Sequence, residues 1–158
     1  MKVKINELID EYSNMIYQIA YQNLFNKSDS EDVTQEVFIK LINNVENFKN
    51  KKHIKAWLIR VTINLSKDYN KSFWNKNTTA IDEELKYFDE ESQSILRELS
   101  KLSYEYRNII YLYYYQGYKI KEISEILSMN QNTVSSYLTR ARKELKNILQ
   151  DGGEIYAY

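Results

Sequence analysis

The chain of 158 residues has no cysteine, no proline, three glycines and one histidine, His53. Without cysteine there is no disulfide framework and no thiolate metal site, and one histidine leaves little for metal ligation or histidine-based catalysis. No cofactor and no metal site are expected, and the chain is not expected to be an enzyme. With no proline and little glycine, nothing punctuates it into strands and hairpins, while Lys, Glu, Leu, Ile and Asn dominate. An all-α fold is expected. No basic-apolar-small pattern opens the sequence, and no apolar run approaches the roughly 20 residues that span a bilayer, so a cytoplasmic location without membrane insertion is expected.

Net charge is absent too, with 22 Lys and Arg against 22 Asp and Glu. That balance argues against a polyanionic partner until the charges are located. Residues 1–36 carry net −4, residues 37–77 net +7, residues 78–96 net −5 and residues 97–158 net +2. A basic middle and a mildly basic end, separated by an acidic stretch, imply two separate basic surfaces.

What is present is helical periodicity. Ile5, Leu8, Ile9, Tyr12, Ile16 and Ile19 repeat at helical spacing, and a turn-like NKSDS follows at 26–30. Asp29 or Ser30 is expected to cap the next helix, EDVTQEVFIKLINNV, with acids in its first turn where the helix dipole favours them. Val33, Val37 and Leu41 form its inward stripe, while Phe38 and Ile42 lie around the wheel beside Gln35 and near Ile39, a second apolar face. Such a helix sits either in the middle of its own domain or against a partner, and Asp32, Gln35 and Glu36 beside that face favour the partner. A third helix is expected over 53–73 with Ile54, Trp57, Leu58, Val61 and Leu65 inward. Its other side is basic and polar, Arg60, Asn64, Lys67 and Lys71 falling at i, i+4, i+7 and i+11, with Lys51, Lys52 and Lys55 at its start. Phe48, Tyr69, Phe73 and Trp74 supply aromatics around it. Cations interleaved with rings suit a single strand or an opening duplex, whereas Trp57 fits the core better than a wedge.

Residues 75–94 are acidic, lack an apolar period and read as a linker. Periodicity resumes with Ile95, Leu96, Leu99 and Leu102. The run IIYLYYYQGY at 109–118 reads as packing, with Gly117 ending the helix. The segment KIKEISEILSMNQNTVSSYLTRARKEL at 119–145 then reads as a helix-turn-helix. Ile120, Ile123, Ile126 and Leu127 make one stripe, Val134, Leu138, Ala141 and Leu145 the other, and Ser128, Met129 and Asn130 the turn, with Asn130 an N-cap. Gln131, Asn132, Thr133, Ser135, Ser136, Thr139, Arg140 and Lys143 are left for a DNA groove. Short amides and hydroxyls suit base edges, and Arg140, Arg142, Lys143 and Lys146 suit phosphates. The alternatives are a solvated surface helix and a bundle corner.

Three of these features in order resemble the extracytoplasmic-function sigma factors, a two-domain class of bacterial transcription initiation factors. EDVTQEVF at 31–38 resembles the helix that binds core polymerase. Phe48 followed by KKHIKAWLIRVTINLSKDYNK resembles the promoter-melting and downstream-element helices. The stretch from Leu99 through the helix-turn-helix is similar to the domain that reads the upstream element. The resemblance implies residues 1–74 as one helical domain, 75–94 as acidic linker, 95–150 as the helix-turn-helix domain and 151–158 as a tail. It implies core RNA polymerase, promoter DNA and an anti-sigma factor as partners. Asp32, Gln35, Glu36, Phe38 and Ile42 match the polymerase-binding positions. Phe48, Lys51, Lys52, Lys55, Arg60, Asn64, Lys67 and Lys71 match the face toward the non-template strand, with a flipped base in a pocket near the 48–55 loop. The linker is implied to thread toward the RNA exit channel.

The chain departs from that pattern at several positions. Lys119 stands where Ser is frequent, Ser128 replaces the turn glycine, and Ser135 and Tyr137 stand where basic residues are frequent. A single Trp57 followed by Leu58 replaces the paired tryptophans of primary sigma factors. Two other classes of protein compete with this reading. A helix-turn-helix regulator that binds operators without polymerase accounts for the second half of the chain only. A helical interaction protein, such as a factor that binds polymerase and inhibits rather than recruits, is the other.

Overall fold

The computed structural model describes residues 4–72 and 83–151. Those residues form helices and connecting turns, and the chain divides into two compact units, Met1–Asp89 and Glu90–Tyr158. The all-α expectation holds.

In the first unit, α1 spans Ile5–Leu24, α2 Lys27–Asn44 and α3 Lys51–Ser72, with a 3-10 turn at Val45–Asn47. The α1–α2 corner is tighter than the sequence suggests. Phe25 adopts φ 47° and its N–H donates to the Tyr21 carbonyl, so one left-handed residue reverses the chain. Asn26 follows as the N-cap of α2, its side chain accepting the Asp29 N–H at 2.9 Å. The cap is therefore Asn26 rather than Asp29 or Ser30, because reversal at Phe25 lets the helix begin three residues earlier than a full turn at 26–30 would. At the far end, Asn50 starts α3 by accepting the His53 N–H at 2.9 Å.

Leu8, Tyr12, Ile16, Ala20 and Leu24 of α1, Val33, Val37 and Leu41 of α2, and Ile54 and Leu58 of α3 meet in one core. Ile59, Thr62, Ile63 and Ser66 are also buried. The Thr62 and Ser66 hydroxyls donate back to the carbonyls four residues earlier, at 2.6 and 2.7 Å, which is how two polar side chains are accommodated inside. α3 is thus buried over a wider arc than the single stripe at 54, 57, 58, 61 and 65.

The acidic stretch behaves differently from a linker where it is described. Residues 83–89 belong to the first unit, where Leu85 is fully buried, and residues 90–94 already form the start of the next helix. Residues 75–82 of the expected linker, and Phe73 and Trp74, lie outside the described residues, as does the tail beyond 151.

In the second unit, α4 spans Glu90–Ser100, α5 Tyr104–Ile110, α6 Ile120–Leu127 and α7 Gln131–Asp151. Tyr111–Tyr115 continues α5 as a π-helical turn that ends at Gly117, φ 72°. The core joins Leu96, Leu99, Leu102, Ile109, Leu112, Ile123, Ile126, Val134, Leu138, Ala141 and Leu145, all buried. Arg107 is half-buried here and caps the end of α4, donating from Nε to the Leu99 carbonyl at 3.0 Å and from a terminal nitrogen to the Leu102 carbonyl at 3.1 Å. Burial lowers its pKa to about 10, so the guanidinium remains charged at neutral pH.

Candidate polymerase and nucleic-acid interfaces

The outer face of α2 follows from its register. With Val33, Val37 and Leu41 fully buried, the residues one helical side away must face outward. Asp32 and Gln35 are exposed and Glu36 is half-buried, so three hydrogen-bonding side chains line one strip. Ile42 is 51% exposed and Ile39, absent from the expected set, is 59% exposed. Phe38 is only half-buried and packs against the core. The apolar part of the strip is therefore Ile39 and Ile42 rather than Phe38 and Ile42. Ile39 was detectable in the sequence as the i+4 neighbour of Gln35. Burial, then the negative charges of Asp32, Glu36 and Asp29, raise the pKa of Tyr69 on α3.

Phe48 departs from the sequence expectation. It is 7% exposed and belongs to the core, edge-on to Trp57 at 5.1 Å and to His53 at 5.3 Å. The 3-10 turn brings the chain back so that extended Phe48 drops between helices instead of presenting a ring outward. As a core residue it lies at the start of the 48–55 loop and supports it from within. Trp57 is half-buried against the same core. Around that loop, Lys51 and Lys52 are exposed and Lys55 is half-buried. Lys51 pairs with Glu11 of α1 at 2.9 Å, and that bond raises its pKa. Along α3, Asn64 and Lys67 are exposed and Arg60 is half-buried, so the basic-polar stripe exists on the surface as far as it is described. Lys71 lies on the same helix, its side chain outside the described residues.

On α7 the cap is as expected, with the Asn132 N–H donating to the Asn130 side-chain oxygen at 2.8 Å. Gln131, Asn132, Ser135, Ser136, Thr139, Arg140 and Lys143 are exposed and Thr133 is half-buried, a continuous polar face on one side of the helix. Thr139 donates to the Ser135 carbonyl at 3.1 Å. Ser128 takes φ 53°, the left-handed conformation that a turn glycine would supply, and the Met129 N–H closes the turn on the Ser124 carbonyl at 2.9 Å. At the start of α6, Glu122 accepts the Lys119 N–H at 3.0 Å, one half of a capping box whose hydroxyl half the lysine lacks.

Three residues of α7 are engaged inside their own unit. Tyr137 meets Tyr106 edge-on at 5.6 Å, and Glu144 accepts the Ser103 N–H at 2.8 Å, tying α7 to the start of α5. Arg142 lies over the Tyr113 and Tyr114 rings at 5.4 and 5.5 Å and donates to the Tyr114 hydroxyl, so of the four cations expected at phosphates it has a structural role. Glu144 and Arg142 were not separable from solvated residues by sequence, because their partners are distant along the chain.

No described helix is long and apolar enough to cross a membrane. Residues 8–74 match the family model for sigma-70 region 2, and residues 92–145 match that for sigma-70 region 4. RNA polymerase sigma factor SigV of Bacillus subtilis is 30% identical over 145 residues, covering 87% of this chain and 86% of its own. The ECF RNA polymerase sigma factor SigW of the same organism is 28% identical over 165 residues, covering 92% and 88%. The fold matches that of CnrH in complex with the cytosolic domain of CnrY, with a TM-score of 0.70 at 22% identity over 93% of this chain and 88% of that one. It also matches the sigma factor RpoE in complex with the anti-sigma factor NepR from Bartonella quintana, at 0.69 and 18% over 92% and 96%. With both regions in order along one chain and a relative at 30% identity over most of both lengths, this protein belongs to the sigma-70 family and to its extracytoplasmic-function class.

Proposed function

We propose that this sigma factor, which directs transcription initiation, divides the work between its units residue by residue as follows. Asp32, Gln35, Glu36, Ile39 and Ile42 on α2 bind core RNA polymerase, the isoleucines supplying apolar area and the polar side chains charge-assisted and amide hydrogen bonds. Lys51, Lys52, Lys55, Arg60, Asn64, Lys67 and Lys71 line the path of the opening strand, with Phe48 and Trp57 supporting that surface from beneath. Gln131, Asn132, Thr133, Ser135, Ser136, Thr139, Arg140 and Lys143 face the upstream promoter element. The protein acts without an active site of its own and works in the cytoplasm, where polymerase and promoter are. An anti-sigma factor is a natural regulator, since one structural neighbour is the sigma factor RpoE in complex with the anti-sigma factor NepR.

The observation that carries this reading is the pair of exposed isoleucines among acidic and amide side chains on a helix whose opposite side is fully buried. An operator-binding regulator has no use for that strip. The test is association of core polymerase with the full-length Ile39→Ser/Ile42→Ser double variant. Affinity is expected to fall at least tenfold, with the thermal unfolding of the variant unchanged because both side chains are exposed. Undiminished affinity would remove α2 from the polymerase interface.

A further inference from the structure

Residues 83–89 of the acidic stretch dock on the first unit through their side chains. Glu84 uses both carboxylate oxygens. One accepts the Tyr21 hydroxyl at 2.9 Å, and the other accepts the backbone N–H of Lys27, the first residue of α2, at 3.0 Å. Leu85 is fully buried. The Phe88 ring stacks on Tyr17 at 5.7 Å and tilts against Tyr21 at 5.0 Å. Between these anchors, Tyr87 is 74% exposed, with the Lys27 and Lys86 ammonium groups 5.5 and 5.3 Å from its ring. Immediately after Asp89, α4 of the second unit begins at Glu90.

We propose that residues 83–89 are a releasable latch: docked on Tyr17, Tyr21 and the start of α2, they hold the chain close to the first unit right up to the beginning of α4. Four of the seven residues, Glu83, Lys86, Tyr87 and Asp89, are exposed and one, Leu85, is fully buried, the balance of a border segment that opens locally while the rest of a domain stays folded. Release places seven unanchored residues ahead of α4, up to about 25 Å of extended chain. It also withdraws the carboxylate from the first N–H of α2, so the latch reports on the same helix that carries Ile39 and Ile42. The docked state and the long-reach state exclude each other. That long reach serves the joint engagement of polymerase and promoter is a consequence that rests on the function proposed above, whereas the latch itself does not.

Two measurements on the full chain decide it. Trypsin needs several residues of extended backbone, so cleavage after Lys86 is expected to be at least tenfold faster in the Glu84→Ala/Phe88→Ala variant than in the native chain, with Leu85 kept to preserve folding and circular dichroism unchanged. Equal rates would overturn the docking. The absence of native cysteine makes a second variant specific. Tyr17→Cys/Phe88→Cys, bridged by a short reducible bis-thiosulfonate reagent, fixes the latch shut. Small-angle scattering is expected to give a larger maximum dimension after reduction than before, and equal dimensions would overturn release. Neither readout involves polymerase, so failure here is distinguishable from failure of the functional reading. In transcription the bridged form is expected to lose activity that reductant restores, and equal activity would overturn the need for release.

Discussion

Phe48 separates two accounts of the first unit, because the same ring cannot both fill the core and receive a base. At 7% exposure it is nearly removed from water, with its ring edge-on to Trp57 and His53. Burying an aromatic side chain hides roughly 150–250 Å². At about 25 cal/mol per Å² that contributes about 4–6 kcal/mol, an upper figure because the denatured chain is itself partly compact. Measured Phe→Ala losses of about 3–5 kcal/mol agree. Phe48→Ala is therefore expected to destabilise the unit by about 3–4 kcal/mol, which lowers a urea midpoint by about 2 M at an m-value near 1.5 kcal/mol/M. Trp57 lies in this unit and touches Phe48, so tryptophan emission during urea unfolding is the assay. Phe48→Leu completes the test. As a core substitution it costs about 1–1.5 kcal/mol and leaves promoter opening at room temperature intact. If Phe48 stacked on a base, the same change would remove about 1–3 kcal/mol of stacking and lower opening severalfold or more. An unchanged urea midpoint together with lost opening would refute the placement of Phe48 in the core.

Ser128 in the left-handed region carries a strain that glycine avoids, so Ser128→Gly is expected to stabilise the second unit by about 1 kcal/mol in thermal or urea unfolding. Replacing Arg140 and Lys143 with Ala is expected to reduce the steepness of log K against log salt for promoter binding by the holoenzyme by about 1.8, near 0.9 for each lost phosphate contact. The alkaline limb of the first unit follows from Tyr17 and Tyr21. Burial, then the negative charges of Glu31 and Glu84, raises Tyr17 to about 12, and burial with the Glu84 bond raises Tyr21 further. Both folded values exceed the unfolded value near 10. The folded state therefore binds more protons than the unfolded one above that pH, and stability that is complete below pH 10 is lost as pH rises through 12 and beyond. Phenolate absorbance near 295 nm is expected to rise together with unfolding, and Tyr17→Phe to move the transition to higher pH.

Much of this was legible because periodicity reports burial directly. Val33, Val37 and Leu41 on one turn-spaced line, and Val134, Leu138, Ala141 and Leu145 on another, are buried as their spacing requires. Local chemistry was legible too, in Asn130 as a cap and Gly117 as a stop. What escaped depends on contacts between residues far apart in sequence. Phe48 looked available because it stands outside any helical stripe, and only the turn at Val45–Asn47 returns it to the core. Residues 83–89 looked like a linker because they are acidic, yet Leu85 is fully buried and Phe88 and Glu84 find partners at Tyr17, Tyr21 and Lys27. Arg107 and Glu144 stand out in no sequence motif and Arg142 was expected at a phosphate, whereas a carbonyl pair, a helix start and two tyrosine rings receive them. Tyr137, at a position where the family often has a basic residue, proves to be a packing residue against Tyr106. The two exposed isoleucines of α2 belong to the readable class, since their register alone turns them away from Val33 and Val37.

The central claim is that this chain gives core RNA polymerase its choice of promoter. Run-off transcription on a promoter library, comparing core polymerase alone with core plus this protein, tests it most directly. The account predicts new transcripts from a selected subset of promoters, lost in the Ile39→Ser/Ile42→Ser variant. No selective transcripts at any salt or supercoiling, together with tight duplex binding by the protein alone, would contradict it and favour an operator-binding regulator.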